Sequence, residues 1–397
     1  MSYNSQVNNR AGIYIHIPFC ERKCTYCNFN TTDFFDDLAS RYIAAVSREI
    51  KYQGEALAGS GEKIAIDTIF FGGGTPSIVE AAQLAELIEA CQSAFQVAED
   101  AEITIEINPS TFTRNKLEAW CAAGINRASV GVQSFKDSEL VTLSRTHDAR
   151  LARQTFESLR EAGFQNISLD LIAGLPEQTL TDWQFNLREA LNLRPEHLSL
   201  YLLEVKEGTQ LYSQIKRGQR PRPDDDLAGE MYKMICEAIS MAGYEQYEIS
   251  NFALISEQSD SGISPFRSKH NMKYWIGTPF YGMGCGAHSY DGRTRWVNIL
   301  KTESYIDSVA ASGCAIGELR ELSDEERAAE ALFMGLRLRE GIDLNEFRAV
   351  YGLDVIERYG EDLARIFDAE LIEITNDRLR LTEQGMLLSN EVFIAFV

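Results

Sequence analysis

Apolar and polar positions along this chain fall into blocks whose spacing keeps switching between strand-like runs and the helical three-and-four pattern. Gly12 to Ile17 and Ile64 to Phe71 are apolar runs of strand length. Between them, Leu38 to Leu57 puts Tyr42, Ile43, Val46 and Ile50 on one face of a helix. Ser77 and Glu80 read as a capping box opening a helix over Val79 to Phe95. The alternation continues with strands at Glu102 to Ile107, Arg127 to Val132, Asn166 to Leu171 and His197 to Leu203. Helices at Arg114 to Ala123, Ala149 to Ala162 and Thr181 to Leu193 separate them. Such a series predicts parallel strands joined by right-handed crossovers. Counting the first strand, six βα-type units precede residue 205. Six are too few to close an eight-stranded barrel, so the expected fold class is α/β, a partial (β/α)6 TIM-like barrel.

The rest of the chain is patterned differently. Lys206 to Asp226 carries turn formers and charge and reads as a linker, followed by a helix over Leu227 to Ala242. Ser256 to Ser264 is polar and reads as a mobile loop. From about Ser323 the pattern is helices and then a hairpin, Leu371 to Leu381, turning at Asn376-Asp377. That order is winged-helix-like. The expected organisation is a barrel over 1–205, an extension over 206–315, and a mixed, mainly helical C-terminal domain over 316–397. The last domain is mostly acidic or apolar, which suits a packing or partner surface.

Composition narrows the function classes. With 45% hydrophobic and 24% charged residues in 397, the chain reads as an ordinary globular protein. A formal charge of −21 argues against a general nucleic-acid binder, which needs a basic surface. No apolar run approaches the ~18 residues of a transmembrane helix, and MSYNSQVNNR lacks a signal peptide's apolar stretch. The expectation is therefore a cytoplasmic protein whose eight cysteines stay reduced. Cys91, Cys121, Cys236 and Cys314 sit in helix-like contexts and read as small core residues.

The chemistry gathers at the carboxyl ends of the strands, where barrels of this type place it. Cys20, Cys24 and Cys27 follow strand one with the spacing Cys-x3-Cys-x2-Cys. Soft thiolates suit iron–sulfur clusters or zinc. Three ligands on a four-iron cube leave one iron open to chelate a small molecule. Two other readings stand beside this one: a zinc site that adds His16, and a disulfide knot, which leaves an odd thiol. Gly72-Gly73-Gly74-Thr75-Pro76 after strand two lets backbone N–H groups approach a ligand. Glu106, Gln133, Arg145 and Asp170 lie at the other strand ends or loop mouths. They are either solvated rim residues or the carboxylate, amide and cation partners of a charged ligand.

The cysteine loop, with Tyr26 before its last cysteine, resembles the cluster signature of the radical S-adenosylmethionine (SAM) enzymes, and the triple glycine resembles their SAM-binding motif. Tyr14 to Cys27, Phe71 to Pro76, Glu106 to Pro109, Gly131 to Ser134, Arg145 to His147, Leu169 to Pro176 and Ser199 to Glu204 together resemble the oxygen-independent coproporphyrinogen dehydrogenase family. The resemblance implies a 4Fe–4S cluster on Cys20, Cys24 and Cys27. It implies SAM contacts from Tyr14, Tyr26, Gly73, Gly74, Thr75, Glu106, Gln133, Arg145 and Asp170. Two departures, Phe29 where that family has a fourth cysteine and a short amino-terminal arm, instead match the HemW branch of heme chaperones.

In that branch a motif like His270-Asn271-x-x-Tyr274-Trp275 is associated with heme, which implies His270 as a heme contact. Arg267, Lys269, Arg293 and Arg295 would pair with propionates, and Cys285 or His288 are secondary choices for the iron. Read without the family, His270 is a hydrogen-bonded core histidine in an aromatic cluster. The implied partners are heme or another tetrapyrrole, heme-acceptor proteins and a reductant such as flavodoxin or ferredoxin, with no nucleic acid. The alternative is coproporphyrinogen III dehydrogenase or another radical SAM enzyme acting on a tetrapyrrole.

Overall fold

A computed structural model describes residues 10–59, 61–256 and 262–396. Most of the loop expected at Ser256 to Ser264, namely 257–261, lies outside the described residues. The barrel strands are β1 (Ala11–Ile17), β2 (Ala65–Gly73), β3 (Gln96–Ile107), β4 (Arg127–Gln133), β5 (Ile167–Ala173) and β6 (His197–Leu202). Their helices are α1 (Asp36–Ala58), α2 (Ala81–Ala94), α3 (Arg114–Ala122), α4 (Asp137–Thr142), α5 (Ala149–Glu161) and α6 (Leu180–Leu193). The expected six strands are present, all parallel and in sequence order.

The sheet does not stop there. After α7 (Gln210–Lys216) and α8 (Asp225–Met241), β7 (Tyr244–Gln246) and β8 (Asn251–Leu254) extend it antiparallel beyond β6. Past α9 (Lys269–Trp275), β9 (Phe280–Met283) pairs parallel with β1 on the opposite side. It is followed antiparallel by β10 (His288–Tyr290), β11 (Thr294–Asn298) and β12 (Ile316–Glu321), with α10 (Thr302–Ser312) before β12. The twelve strands run β12-β11-β10-β9-β1-β2-β3-β4-β5-β6-β8-β7.

Two local expectations are corrected. Ser77 lies in a 3-10 turn, Pro76–Ile78, where its hydroxyl bonds Thr111 Oγ1 (2.6 Å) and accepts the Asn108 N–H (3.1 Å). With Ser77 so engaged, Glu80 caps α2, in a box with Gln83. The presumed linker also contains α7, opened by Thr209, and ends in the cap and first turn of α8, Asp224 to Asp226. Acidic residues there satisfy free N–H groups and the positive end of the helix dipole.

The C-terminal region is α11 (Asp324–Leu336), β13 (Ile342–Asp343), α12 (Leu344–Tyr351), α13 (Val355–Asp368), β14 (Ile372–Thr375) and β15 (Arg378–Leu381). Its small sheet runs β13-β15-β14, and β14 with β15 forms the hairpin expected within Leu371 to Leu381. Asn376 and Asp377 take φ of 52° and 59°, the left-handed pair that a two-residue hairpin turn requires.

The two faces of the barrel strands differ sharply. Ile13, Ile15, Ile69, Phe71, Ile103, Ile105, Val130, Leu169, Leu171, Leu198 and Leu200 are buried in the main apolar core with the helices. The alternate positions point into the barrel and are largely polar: Thr68, Glu102, Thr104, Glu106, Arg127, Ser129, Ser168, Asp170, His197 and Ser199. A packed barrel interior is dominated by branched aliphatic side chains. This one is built for polar contents.

Candidate functional site

The cysteine loop leaves β1 at Pro18 and is held in place by backbone bonds from several elements. Thr32 N–H donates to Pro18 O (2.8 Å) and Phe34 N–H to Cys20 O (3.1 Å). Thr25 is buried, donating to Leu143 O (3.2 Å) and accepting from Leu211 N–H of α7 (2.8 Å). The three thiols are free and half-buried on this frame. Burial pushes the Cys20 thiol up to about 11 against a hydrogen bond from Thr75 Oγ1 at 3.4 Å. Burial also raises Cys27, opposed by the Phe29 backbone N–H. Metal binding displaces such protons, because the ligand is the thiolate.

His16 does not join these thiols. Its ring bonds Tyr14 OH (3.1 Å) through Nδ1 and Asn30 O (2.9 Å) through Nε2, so both nitrogens are engaged. Among the described residues, no three His, Cys, Asp or Glu side chains converge on a single-ion site. The expected zinc alternative lacks its fourth ligand. Disulfides are likewise not formed, all eight cysteines being free.

The glycine loop closes onto the cysteine loop. Gly74 N–H donates to Ile17 O (2.8 Å), and a Cβ at Gly74 would lie 2.6 Å from the Pro18 carbonyl. Gly73 has φ +113°, and a Cβ there would lie 2.4 Å from the His16 ring. Only glycine fits this close approach. The Gly73 N–H donates to Glu106 Oε2 (3.0 Å), which aims that carboxylate at the loop. Below it, Lys116 of α3 donates from Nζ to the carbonyls of Ile78 (3.1 Å) and Val79 (3.0 Å), fixing the turn that follows Thr75.

Arg145 completes the rim. Nη2 donates to Gly131 O (2.6 Å) and Nη1 to Cys24 Sγ (3.5 Å), while the buried Nε has no partner. Burial works against its charge, but Tyr26 and Cys24 hold its pKa above the usual value. Gln133 has φ 65°, so the chain turns sharply where its side chain reaches the rim. Asp170 is held by Ser129 Oγ (3.1 Å) and Ser168 Oγ (3.2 Å) from β4 and β5. Burial pushes Glu106 up to about 7, and Asp170 adds to the rise. Asp170 is raised by its own burial. Tyr26 packs with Leu143, Ile172, Leu175 and Leu203. Tyr14, Tyr26, Gly73, Gly74, Thr75, Glu106, Gln133, Arg145 and Asp170 thus line the same edge as Cys20, Cys24 and Cys27.

These residues fit the expected groups. Three thiols without other ligands suit a cluster, an unpartnered guanidinium nitrogen suits a carboxylate, and the glycine cradle has no room for side chains. Ser129, Ser168 and Lys116 were not singled out from the sequence. Polar residues at every second position of a parallel strand are the signal that marks the serines.

Known proteins extend this picture. A family model described as the Radical SAM superfamily matches residues 14–189, and one described as the HemN C-terminal domain matches 322–388. The "Heme chaperone HemW" of Bacillus subtilis (strain 168) is 37% identical over 385 residues, covering 97% of this chain and 98% of that protein. The chain belongs to the HemW family. A second relative, "Radical S-adenosyl methionine domain-containing protein 1, mitochondrial" of Bos taurus, is 36% identical over 84% of this chain and 75% of its own length. The solved Escherichia coli coproporphyrinogen III oxidase (HemN), a radical SAM enzyme, superposes with a TM-score of 0.83. It covers 98% of this chain and 90% of its own at 24% identity, a likeness of fold.

Within this HemW-family chain, His270 lies away from the cysteines, toward the amino ends of the strands. Its ring is buried, with Nδ1 bonded to Thr68 Oγ1 (2.8 Å) and Nε2 to Tyr274 OH (2.9 Å). It stacks on Phe70 at 5.2 Å between ring centres. Burial lowers its pKa to about 3, so the ring is neutral. In this conformation His270 offers no open nitrogen, the arrangement of a core histidine in an aromatic cluster. Arg267 pairs with Glu245 and Glu340, Arg293 with Glu321, and Arg295 with Glu330. Lys269 is exposed. Cys285 is buried, and His288 is exposed on β10. Among the described residues no helix is long and apolar enough to cross a membrane.

Proposed function

We propose that this protein is a heme chaperone that carries a 4Fe–4S cluster and SAM at the carboxyl edge of its barrel and passes heme to acceptor proteins. The observation that carries the reading is likeness to a heme chaperone HemW along 97% of the chain, with no long unmatched segment in either protein. We assign residues 1–205 to the cluster and SAM barrel, 206–315 to the extension with the His270 motif, and 316–397 to the winged-helix-like domain. Its compartment in this reading is the cytoplasm, and its electron donor a flavodoxin or ferredoxin.

Cys20, Cys24 and Cys27 hold the cluster, which with SAM supplies one-electron chemistry at a sulfonium when reduced. The chain's own part is positioning. Arg145 presents a guanidinium to a carboxylate, Glu106 and the glycine loop receive an ammonium, and Tyr14, Gln133 and Asp170 line the nucleoside side. Tyr26 and its apolar neighbours keep water from the thiol loop.

The charge on Glu106 gives a pH test. A cationic ammonium is held by the carboxylate form, which predominates above about pH 7 here. SAM affinity is therefore expected to rise by up to about tenfold per pH unit between about pH 6 and pH 7 and then level off. Glu106→Gln removes this dependence. Equilibrium dialysis of cluster-loaded protein across the range measures it, and a flat wild-type profile would defeat the assignment.

Function itself is tested by anaerobic heme titration followed by transfer to an apo heme protein. Heme uptake and transfer without protoporphyrinogen formation is the expected result, and turnover of coproporphyrinogen III would overturn it. His270→Ala tests the motif in the same titration. Unchanged heme affinity and spectrum would leave His270 as the barrel histidine its two hydrogen bonds describe.

A further inference from the structure

The barrel interior contains a cation that no side chain among the described residues pairs with by hydrogen bond or salt bridge. Arg127 opens β4 on the inward face and is 2% exposed. Its Nε is buried without a hydrogen-bond partner, and among the described residues its guanidinium forms no hydrogen bond or ion pair. Thr104 is its register neighbour on β3, fully buried, with Oγ1 equally unpartnered. Two unanswered polar groups thus sit side by side on adjacent strands. An unpaired buried charge is costly, so side chains in this state mark a place where something else supplies the partner.

The surroundings say what that partner is. One pair of positions nearer the rim stand Glu106 and Ser129, in register with Ser168 and His197, and Asp170 lies one pair beyond; farther in is Glu102, with His270 of α9 against Thr68 beside it. Glu102 accepts the backbone N–H groups of Lys269 and His270 (each 3.2 Å), so it is committed to α9. His197 bonds Ser168 (2.8 Å) and Tyr247 (2.8 Å), and His270 is likewise satisfied. Glu106 and Asp170 both feel Arg127 electrostatically without pairing with it, and burial pushes both carboxyls toward the neutral form. The inner end is closed by α9, for a Cβ at Gly12 would strike Lys273 (2.8 Å) and His270 (3.1 Å). The outer end is open, with Tyr14, Glu106 and Asp170 half-buried and Tyr201 40% exposed. The strand interior is thus closed at α9 and partly exposed at the rim, with a buried guanidinium in its wall.

We propose that Arg127 and Thr104 form a carboxylate receptor in the barrel lumen, inside the SAM rim. The planar fork matches a carboxylate, and the threonine hydroxyl donates the additional hydrogen bond. The carboxylate is either a propionate of a bound tetrapyrrole, which rests on the heme reading above, or a free small carboxylate.

Two probes separate the sources, used on the full-length, cluster-loaded protein and on Arg127→Met and Arg127→Lys. The first compares heme with heme dimethyl ester by absorbance titration. A propionate at Arg127 predicts roughly tenfold or greater preference for heme in the wild type, absent in Arg127→Met and partly kept in Arg127→Lys. The second follows thermal unfolding with added acetate at constant ionic strength. A free-carboxylate site predicts a rise in Tm for the wild type and none for Arg127→Met. Both wild-type comparisons stand even if the methionine variant folds poorly. Heme bound equally well as the diester, together with no acetate effect, overturns the receptor while leaving heme binding itself intact. Failure of the wild type to bind heme strikes the functional reading instead, and the acetate arm then decides the receptor.

Discussion

Replacing Cys24 by alanine is expected to abolish the iron–sulfur cluster and, with it, SAM binding. The loop supplies three thiols, and the His16 ring is tied to Tyr14 and Asn30, so among the described residues no spare side chain stands ready to replace one. Cys24 is also the thiol that accepts a hydrogen bond from the Arg145 guanidinium. Loss of an outer-shell partner at a metal site already costs roughly 10–100-fold in affinity, and loss of one of three ligands costs more. The fold itself should survive, because Thr25, Thr32 and Phe34 anchor the loop through backbone bonds that need no thiol. Iron and acid-labile sulfide per chain, read after anaerobic reconstitution, decide the matter. Cys91→Ala, at a buried core thiol, serves as the control that keeps its cluster. A full iron and sulfide content in Cys24→Ala would remove the loop as the cluster site.

The second large effect is expected at Arg145. Its Nε is buried without a partner among the described residues while both Nη atoms are bonded, so the fork is fixed in direction with three of its five N–H donors left over. Charge-assisted hydrogen bonds are worth about 1.5–3 kcal/mol each, and an Arg–carboxylate pair usually makes two. Arg145→Met is therefore expected to weaken SAM by about 100-fold or more. Arg145→Lys should recover little, since an ammonium cannot reproduce the planar fork or reach Gly131 O and Cys24 together. Equilibrium dialysis with SAM, normalised to iron content, separates loss of SAM from loss of cluster. Unchanged SAM affinity in Arg145→Met would assign the guanidinium to thiol support alone.

Much of the rim was legible because two independent signals coincide there. Apolar runs in a helix–strand alternation fix which ends of the strands face the same way, and the odd residues fall at those ends. What was hidden depends on partners far along the chain. β9 is only four residues long and contains Gly282, where a Cβ would strike the His288 carbonyl at 2.2 Å. A glycine in so short a run reads as a loop until its neighbours are known. Helix α7 hides among turn formers, and its reason to exist is Leu211, fully buried with its N–H on Thr25 O. Ser77 outranks Glu80 as a helix cap by intrinsic preference, yet Thr111 and Asn108 occupy it first. His270 could be read as a core histidine from the aromatic residues around it, but its partners Thr68 and Phe70 stand some two hundred positions earlier, where no local pattern points to them.

The segment after β6 does more than follow the barrel. It sends β8 to one margin of the six-stranded sheet, β9 to the other, and Leu211 to the underside of the thiol loop. A chain ended at residue 205 would bare both margins at once and lose a clamp on the cysteines. The barrel is therefore not a cassette that can be lifted out and joined to a foreign tail. Exchange of parts between relatives of this protein has to carry both stretches together, as one inheritance.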